Sequence, residues 1–441
     1  MKRTAPLFFL PLLLALLFAV AACGPEDEVD PLTLTPVAIT YMTFNQATEA
    51  QTEELVIQRF QEKYPAIQVT RTSYNQGPQS YLSDNSEADV LFLWTGYLLD
   101  AAMRQNLLGN LDNVWEENGY KESISQPIQA MSYYQGAPYF VPGGHGWTAV
   151  YYNKEIFQRY GLTPPTTWQE FLNVCETLWS NGETPLSIAG SNAFVGTLWF
   201  DYLDMRMNGP DYHRRLLNGE EDYTDPKLTA VFETMRDLVE RGFFVESPAT
   251  MNDLSSVLSL IRGDSADPVE RRKAVMTLGS NFAVSDLPPV FLDELDFFPF
   301  PVMDPDLPVG EVGITFGFVV PASAPNPLQA NAFAGFMGST ESAQVLTQQT
   351  SSQLTWVPVH SDYDRSLYSD RIRKAEELVQ QADAFGPPMV LSLPNSMGGE
   401  LGQVLDRLLS DRDNRGEPAE WQLLLENARQ NAIRNGEYPA P

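Results

Sequence analysis

Residues Asp89–Trp94 (DVLFLW) are almost wholly apolar. A short run without alternation fits a strand covered on both faces, and such strands belong to parallel sheets packed between layers of helix. The neighbouring pattern agrees. Val37–Phe44 (VAITYMTF) is β-branched and aromatic, which predicts a strand with Asn45 and Gln46 at its C-terminal end. A helix follows with Val56, Ile57, Phe60 and Tyr64 on one face, and Pro65 stops it. Ile67–Thr72 predicts a second strand. Strands alternating with helices place the chain in the α/β class.

Further along, Thr167-Trp168-Gln169-Glu170 has the form of a capping box, in which the Thr hydroxyl and the Glu carboxylate each satisfy a free backbone N–H. Trp168, Phe171, Leu172, Cys175, Leu178 and Trp179 then recur at helical spacing, and Asn181-Gly182 ends the helix. Cys175 lies on that stripe and reads as a small core residue. Asp225-Pro226 opens another helix with Leu228, Val231, Phe232, Met235, Leu238 and Val239 inward. Helices are also predicted at 330–337, 342–347, 371–384, 401–409 and 420–433. The Pro/Gly-rich stretches at 142–146, 299–310 and 386–399 read as crossovers or loops.

The N-terminus indicates export. Lys2 and Arg3 precede an apolar run, Leu7–Ala22, that is short for a membrane span. Val20-Ala21-Ala22-Cys23-Gly24 resembles a bacterial lipobox, which implies that residues 1–22 are a lipoprotein signal peptide and that Cys23 becomes the lipidated N-terminus. Residues 23–36 are then the lipid attachment and an acidic, proline-containing tether. Loss of Lys2 and Arg3 moves the net charge from −29 to −31. A chain this acidic is repelled by phosphate, so nucleic acid is not an expected partner, and membrane contact is expected through the Cys23 lipid only. Its 43% hydrophobic residues separate it from disordered acidic chains.

Catalytic signatures are absent from the sequence: no G-x-S-x-G, no phosphate-binding G-x-x-x-x-G-K, no H-E-x-x-H and no C-x-x-C. Asp411–Gly416 echoes the start of a calcium loop, but its fifth and twelfth positions are Arg415 and Gln422, which supply no anionic ligand. No cofactor, metal or enzymatic activity is expected.

Three segments carry a resemblance. Gly136–Pro142 (GAPYFVP) precedes Val150–Lys154 (VYYNK), and Tyr160–Phe171 (YGLTPPTTWQEF) follows. With Thr184–Leu186, Ala274–Ser280 (AVMTLGS), Phe297–Pro301 (FFPFP) and Gly313–Pro321, this pattern resembles the extracellular solute-binding proteins of family 1, the maltose-binding-protein type. The resemblance spans essentially the whole mature chain. It implies a two-lobed periplasmic-binding-protein fold of type II, with a hinge and an interlobe cleft that closes on ligand. Lobe one is expected at 37–147 plus 316–362 and lobe two at 148–315 plus 363–441. The implied function is capture of a sugar or oligosaccharide and delivery to an ABC permease, outside the cell and on a lipid anchor, by a monomer. Alternatives are a non-sugar solute such as a polyamine or glycerol phosphate, a secreted glycan-active hydrolase, or a surface scaffold lipoprotein.

A sugar site needs aromatic faces together with amide, carboxylate and hydroxyl partners. At the loop ends that the resemblance assigns to the cleft, these are Asn45, Gln46, Trp94, Thr95, His145, Trp147, Asn192, Trp199, Asp201, Ser280, Asn281 and Trp356. Each also has a plainer reading. Trp94 continues a buried strand, His145 can bond a hinge carbonyl, Asn45 and Asn192 can serve as turn residues, and Asp201 can cap or pair within lobe two. Where relatives carry a Trp after AVMTLGS this chain has Asn281-Phe282, and the 394–399 loop has no aromatic residue. Both departures argue against maltodextrin-type stacking and leave a smaller or more polar sugar plausible.

Overall fold

The computed structural model describes residues 32, 35–45, 47–82, 87–191, 196–246, 251–261, 273–285, 287, 289–349, 356–409 and 416–438. The signal segment, Cys23, most of the tether, Gln46, Asn192 and most of the calcium-like loop lie outside them.

Strands β1 (Val37–Thr43), β2 (Ile67–Ser73) and β3 (Val90–Trp94) form where the sequence predicts them. A small hairpin, β4 (Tyr133–Tyr134) with β5 (Ala137–Pro138), precedes β6 (Val141–His145) and β7 (Thr148–Asn153). The remaining strands are β8 (Leu186–Ser187), β9 (Met276–Ser280), β10 (Leu295–Phe298), β11 (Gly310–Val312), β12 (Thr315–Val319) and β13 (Ala384–Gly386).

Two sheets organise the chain. The first has the order β2-β1-β3-β12-β6, with β1 parallel to β2 and β3, and β12 antiparallel to β3 and β6. Four strands therefore end at one edge, at Thr43, Ser73, Trp94 and His145, and β12 begins there at Thr315. The second sheet has the order β10-β7-β9-β8. Its β7 starts three residues after β6 ends, so the two sheets meet end to end across Gly146 and Trp147.

Alternation along the strands sorts the cores. On the first sheet Tyr41, Phe92 and Phe318 point into one cluster and Met42, Leu91 and Leu93 into another. On β7, Val150 and Tyr152 enter the core built with helix Trp168–Ser180 and the C-terminal helices, whereas Ala149 and Tyr151 join the cluster that also holds Tyr41, Phe92 and Phe318 of the first sheet. Burial on both faces explains why β3 carries no polar alternation.

Helix Trp168–Ser180 is capped as expected: Glu170 N–H donates to Thr167 Oγ1 at 3.3 Å and Thr167 N–H to the Glu170 carboxylate at 3.1 Å. Asp225 caps helix Pro226–Glu240 through the Lys227 N–H at 2.9 Å. Cys175 is buried in the core.

Four expectations are corrected. Residues 142–146 are not a loop, because Val141–His145 is a buried strand. A Cβ on Gly143 or Gly144 would lie 2.5 or 2.7 Å from the Phe316 ring, so the glycines admit that ring against β6. The helix expected at 371–384 ends at Gln380, and Ala384–Gly386 pairs in parallel with β11. Gly398 and Gly399, read as loop, lie inside helix Asn395–Leu408, which packs on helix Pro418–Arg434. Trp179, read as part of a core stripe, is 51% exposed and leans over Gly242, because it falls at the flank of the buried arc.

Candidate functional site

The chain passes between the sheets with little room. Gly146 N–H donates to Ile314 O at 2.8 Å, and Gly313 N–H to Gly386 O at 2.9 Å. A Cβ on Gly313 would sit 2.5 Å from the Gly146 carbonyl, and one on Gly146 would sit 2.5 Å from Asn281 Oδ1. His145 exchanges backbone hydrogen bonds with Val357 at 2.9 and 2.8 Å, so a third segment joins the crossing.

Beside this hinge, aromatic rings gather at the C-terminal ends of β1, β2 and β3. Trp94 is 38% exposed and lies on Phe44, with centroids 5.1 Å apart and planes 22° apart. Phe44 meets Tyr74 at 4.6 Å, and Tyr74 meets Tyr81 at 5.4 Å. The outer face of Trp94 offers a flat apolar surface of the kind a pyranose ring covers.

Polar groups fix this platform from below. The Glu53 carboxylate is buried and accepts from Tyr41 Oη at 2.5 Å, Thr43 Oγ1 at 3.1 Å, Asn45 Nδ2 at 2.8 Å and Arg71 Nε at 2.6 Å. Arg71 also donates to the Asn45 carbonyl. Burial pushes the Glu53 carboxyl up, and the Tyr41 and Arg71 donors hold it back only in part. Asn45 is thus held through both its backbone and its side chain.

The residues singled out from sequence fall into three settings. Asn45 and Trp94 belong to the platform. Thr95, His145, Trp147, Ser280, Asn281 and Trp356 gather at the crossing. Thr95 N–H donates to Thr315 O at 2.9 Å and its Oγ1 accepts from Thr315 N–H at 3.2 Å, so it staples β3 to β12. Asn281 Oδ1 accepts from Trp147 N–H at 3.0 Å, and Asn281 N–H donates to Trp147 O at 2.9 Å. Ser280 is buried opposite Thr148. The Trp147 ring is buried against Phe297 at 5.9 Å. The His145 ring sits on Phe385 with Nδ1 3.1 Å from the Gly146 carbonyl, and burial lowers its pKa to about 4 against that bond. Trp356 is half-buried between Phe316 and Phe282.

Trp199 and Asp201 are placed elsewhere. Trp199 is fully buried among Phe171, Phe244 and Phe300 in the core cluster built around helix Trp168–Ser180. Asp201 Oδ1 accepts from Met389 N–H at 3.0 Å and pairs with His213 Nε2 at 3.0 Å, while Asp204 holds His213 Nδ1 at 2.7 Å. Burial works against the His213 charge, but its bonds to Asp201 and Asp204 outweigh it and push the pKa up to about 9.

Phe44, Tyr74, Tyr81, Glu53 and Arg71 were not singled out from sequence. A usable signal existed for the rings: an aromatic residue at or just past the end of each of the first three strands, at the edge where open α/β sheets bind ligands. A cavity of about 310 Å³ also opens beside β6, between His145, His360, Arg365 and Glu376, but Arg365 Nε already pairs with both Glu376 oxygens at 3.0 and 2.9 Å. Among the described residues, no group of three or more His, Cys, Asp or Glu side chains is placed to hold a metal, and no helix is long and apolar enough to cross a membrane.

Comparison with known proteins agrees with this architecture. Residues 45–344 match the family described as bacterial extracellular solute-binding protein. An uncharacterized ABC transporter extracellular-binding protein of Pyrococcus horikoshii is 24% identical over 396 residues, covering 85% of this chain and 83% of that protein. The solved bacterial solute receptor AcbH, reported to prefer β-D-galactopyranose exclusively, superposes with a TM-score of 0.78 at 21% identity, over 92% of this chain and 99% of its own. A chitin oligosaccharide binding protein superposes with a TM-score of 0.73 at 16% identity, over 90% and 99% of the two chains. The fold is the two-lobed, maltose-binding-like one with a hinge and interlobe cleft.

Proposed function

Because the chain belongs to the bacterial extracellular solute-binding protein family, we propose that it captures a sugar or oligosaccharide between its lobes by hinge closure and hands it to an ABC permease. The observation that carries the ligand class is the exposed Trp94 ring backed by Phe44, beside polar Asn45. An indole face and an amide at one strand edge suit a molecule with weakly polar faces and hydroxyl edges. In this reading 37–147 with 316–362 form lobe one and 148–315 with 363–441 form lobe two. The meeting of the two sheets across Gly146 and Trp147 supports the first boundary. Cys23 carries the lipid that tethers the protein to the outer face of the cytoplasmic membrane. The protein binds without chemical turnover and works as a monomer.

A thermal-shift screen of the full chain against monosaccharides and oligosaccharides tests the ligand class. Ligand at a hundredfold excess over Kd stabilises the folded form by about 2.7 kcal/mol, which raises the melting temperature visibly. A shift with a polyamine or glycerol phosphate and with no carbohydrate sinks the sugar reading.

A further inference from the structure

Asn45 stands two residues past the end of β1, and almost all of its polar groups are committed inside the protein. Its N–H donates to Thr43 Oγ1 at 3.1 Å, its carbonyl accepts from Arg71 Nη2, and its Nδ2 donates to the Glu53 carboxylate at 2.8 Å. An asparagine has one further polar atom, the amide oxygen Oδ1. That atom has no partner among the described residues, and the residue is half-buried.

The amide sits only one way round. A carboxylate accepts and never donates, so the end of the Asn45 amide that meets Glu53 is the NH2. Everything else around Glu53 is a donor too. Tyr41 Oη, Thr43 Oγ1 and Arg71 Nε reach it at 2.5, 3.1 and 2.6 Å, and Arg71 brings a positive charge. Tyr41 and Arg71 are register partners on β1 and β2, so both side chains leave the same face of the sheet, where Glu53 of helix Ala47–Lys63 receives them. The Glu53 and Arg71 side chains are 4% and 11% exposed, and an unmade hydrogen bond in such a setting is costly.

We propose that Glu53 is a positioning residue for solute capture: it turns the Asn45 NH2 inward and leaves the amide oxygen as the one group Asn45 offers a solute. The solute therefore brings a hydrogen-bond donor to that point. This rests on the sugar reading and adds a polarity to it. A sugar hydroxyl donates to the amide oxygen, whereas a phosphate or carboxylate oxygen, which only accepts, is repelled by it. Aspartate does not serve at position 45, because its second oxygen would face the Glu53 carboxylate.

Titration calorimetry on the full chain tests the proposal. The probes are galactose, raffinose, xylobiose and the N-acetylglucosamine dimer, followed by the monodeoxyfluoro analogues of whichever binds most tightly. Each analogue removes one hydroxyl donor and keeps the size of the group. One analogue should bind roughly two- to tenfold more weakly than its parent sugar, and Asn45→Ala should weaken the parent by a similar factor and bind the two alike. Asn45→Asp should bind the parent no better than Asn45→Ala. In Glu53→Gln the new amide oxygen stays on Arg71 and its NH2 faces Asn45, so the Asn45 amide reverses and the penalty of that analogue should vanish. A loss of general structure at 53 would leave the penalty in place. Melting curves separate lost contact from lost folding, and if Glu53→Gln does not fold, the analogues on the two Asn45 variants decide. A penalty that persists in Glu53→Gln, or the lack of any analogue whose penalty vanishes in Asn45→Ala, overturns the proposal and leaves the sugar reading intact. Failure of every saccharide to bind overturns the sugar reading, and this proposal with it.

Discussion

Arg206 Nη2 donates to the Glu311 carboxylate at 2.6 Å, and both side chains are about 3% exposed. Arg206 sits on helix Leu198–Asn208, and Glu311 lies on β11, four residues before the chain re-enters the first sheet at β12. Tyr202 Oη donates to the second Glu311 oxygen at 2.8 Å, and Arg206 also donates to Gly310 O and Phe300 O. The pair anchors β11 to helix Leu198–Asn208.

Removing one member leaves the other buried and unpaired, which costs about 3–5 kcal/mol in comparable settings. Glu311→Ala should therefore lower unfolding free energy by about that amount, and Glu311→Gln by less, since the amide oxygen still accepts from Arg206 while its NH2 can donate to Tyr202 Oη. Urea denaturation of the three proteins measures this. A loss below about 1 kcal/mol for Glu311→Ala means that Arg206 finds water on relaxation and that the anchor is unimportant.

How much of this was legible in the sequence depends on how local the cause is. β1, β3 and helix Trp168–Ser180 were readable because apolar run, periodicity and capping chemistry act within a dozen residues. β6 was not, since Pro142-Gly143-Gly144 carries the composition of a loop and becomes a strand only because Phe316 and Trp356, remote in sequence, need the space above it. β13 was missed for the same reason, its partner being β11 some 70 residues earlier. Sequence alone leaves Trp94 as core or cleft, and the exposed outer ring turns on its stacking with Phe44, a contact no spacing rule announces. Trp199 stands close behind Asn192 in sequence, but Phe171, Phe244 and Phe300 close over it from three distant segments.

The Asp201–His213–Asp204 cluster makes stability depend on pH in a defined direction. His213 has a folded-state pKa of about 9 against 6.5 for the ordinary group, so the folded state holds its proton more tightly than the unfolded chain. Its contribution is complete below about pH 6.5 and disappears as pH rises through about 9. A shift of this size corresponds to on the order of 3 kcal/mol. The difference in melting temperature between the natural protein and His213→Gln should be large at pH 6 and small at pH 10. A difference that is constant across that range shows that the ring contributes packing and no charge.

Gly313 faces a backbone carbonyl and a ring at once. A Cβ there would lie 2.5 Å from Gly146 O and 2.5 Å from the Phe385 ring, and the carbonyl cannot swing aside as a side-chain tip can. Gly313→Ala should cost about 1–3 kcal/mol of stability and widen the spacing of the crossing segments. Melting curves report the first effect and small-angle scattering the second. A variant of unchanged stability and unchanged scattering rules out tight packing at the crossing.

Tyr97 opens the helix that follows β3, and its Oη donates to the Glu437 carbonyl at 3.0 Å, near the C-terminal end of the chain. Burial raises the phenol pKa, so the O–H stays a donor throughout the neutral range. Next to it Gly96 faces the Leu391 carbonyl so closely that a Cβ would come within 2.5 Å. Leu391 belongs to helix Met389–Ser392, and Met389 N–H is held by Asp201. In the proposed lobe division these contacts join the two lobes, so losing one raises the free energy of the form in which the lobes touch. One hydrogen bond is worth about 0.5–1.5 kcal/mol, and Tyr97→Phe should weaken apparent ligand affinity roughly two- to tenfold, mainly through faster release. The melting temperature without ligand should change little, because no contact within either lobe is lost. Stopped-flow release rates, together with scattering of the ligand-free protein, measure both sides of this. An unchanged release rate with an unchanged radius of gyration means that Tyr97 does not hold the lobes together and that closure rests on the ligand itself.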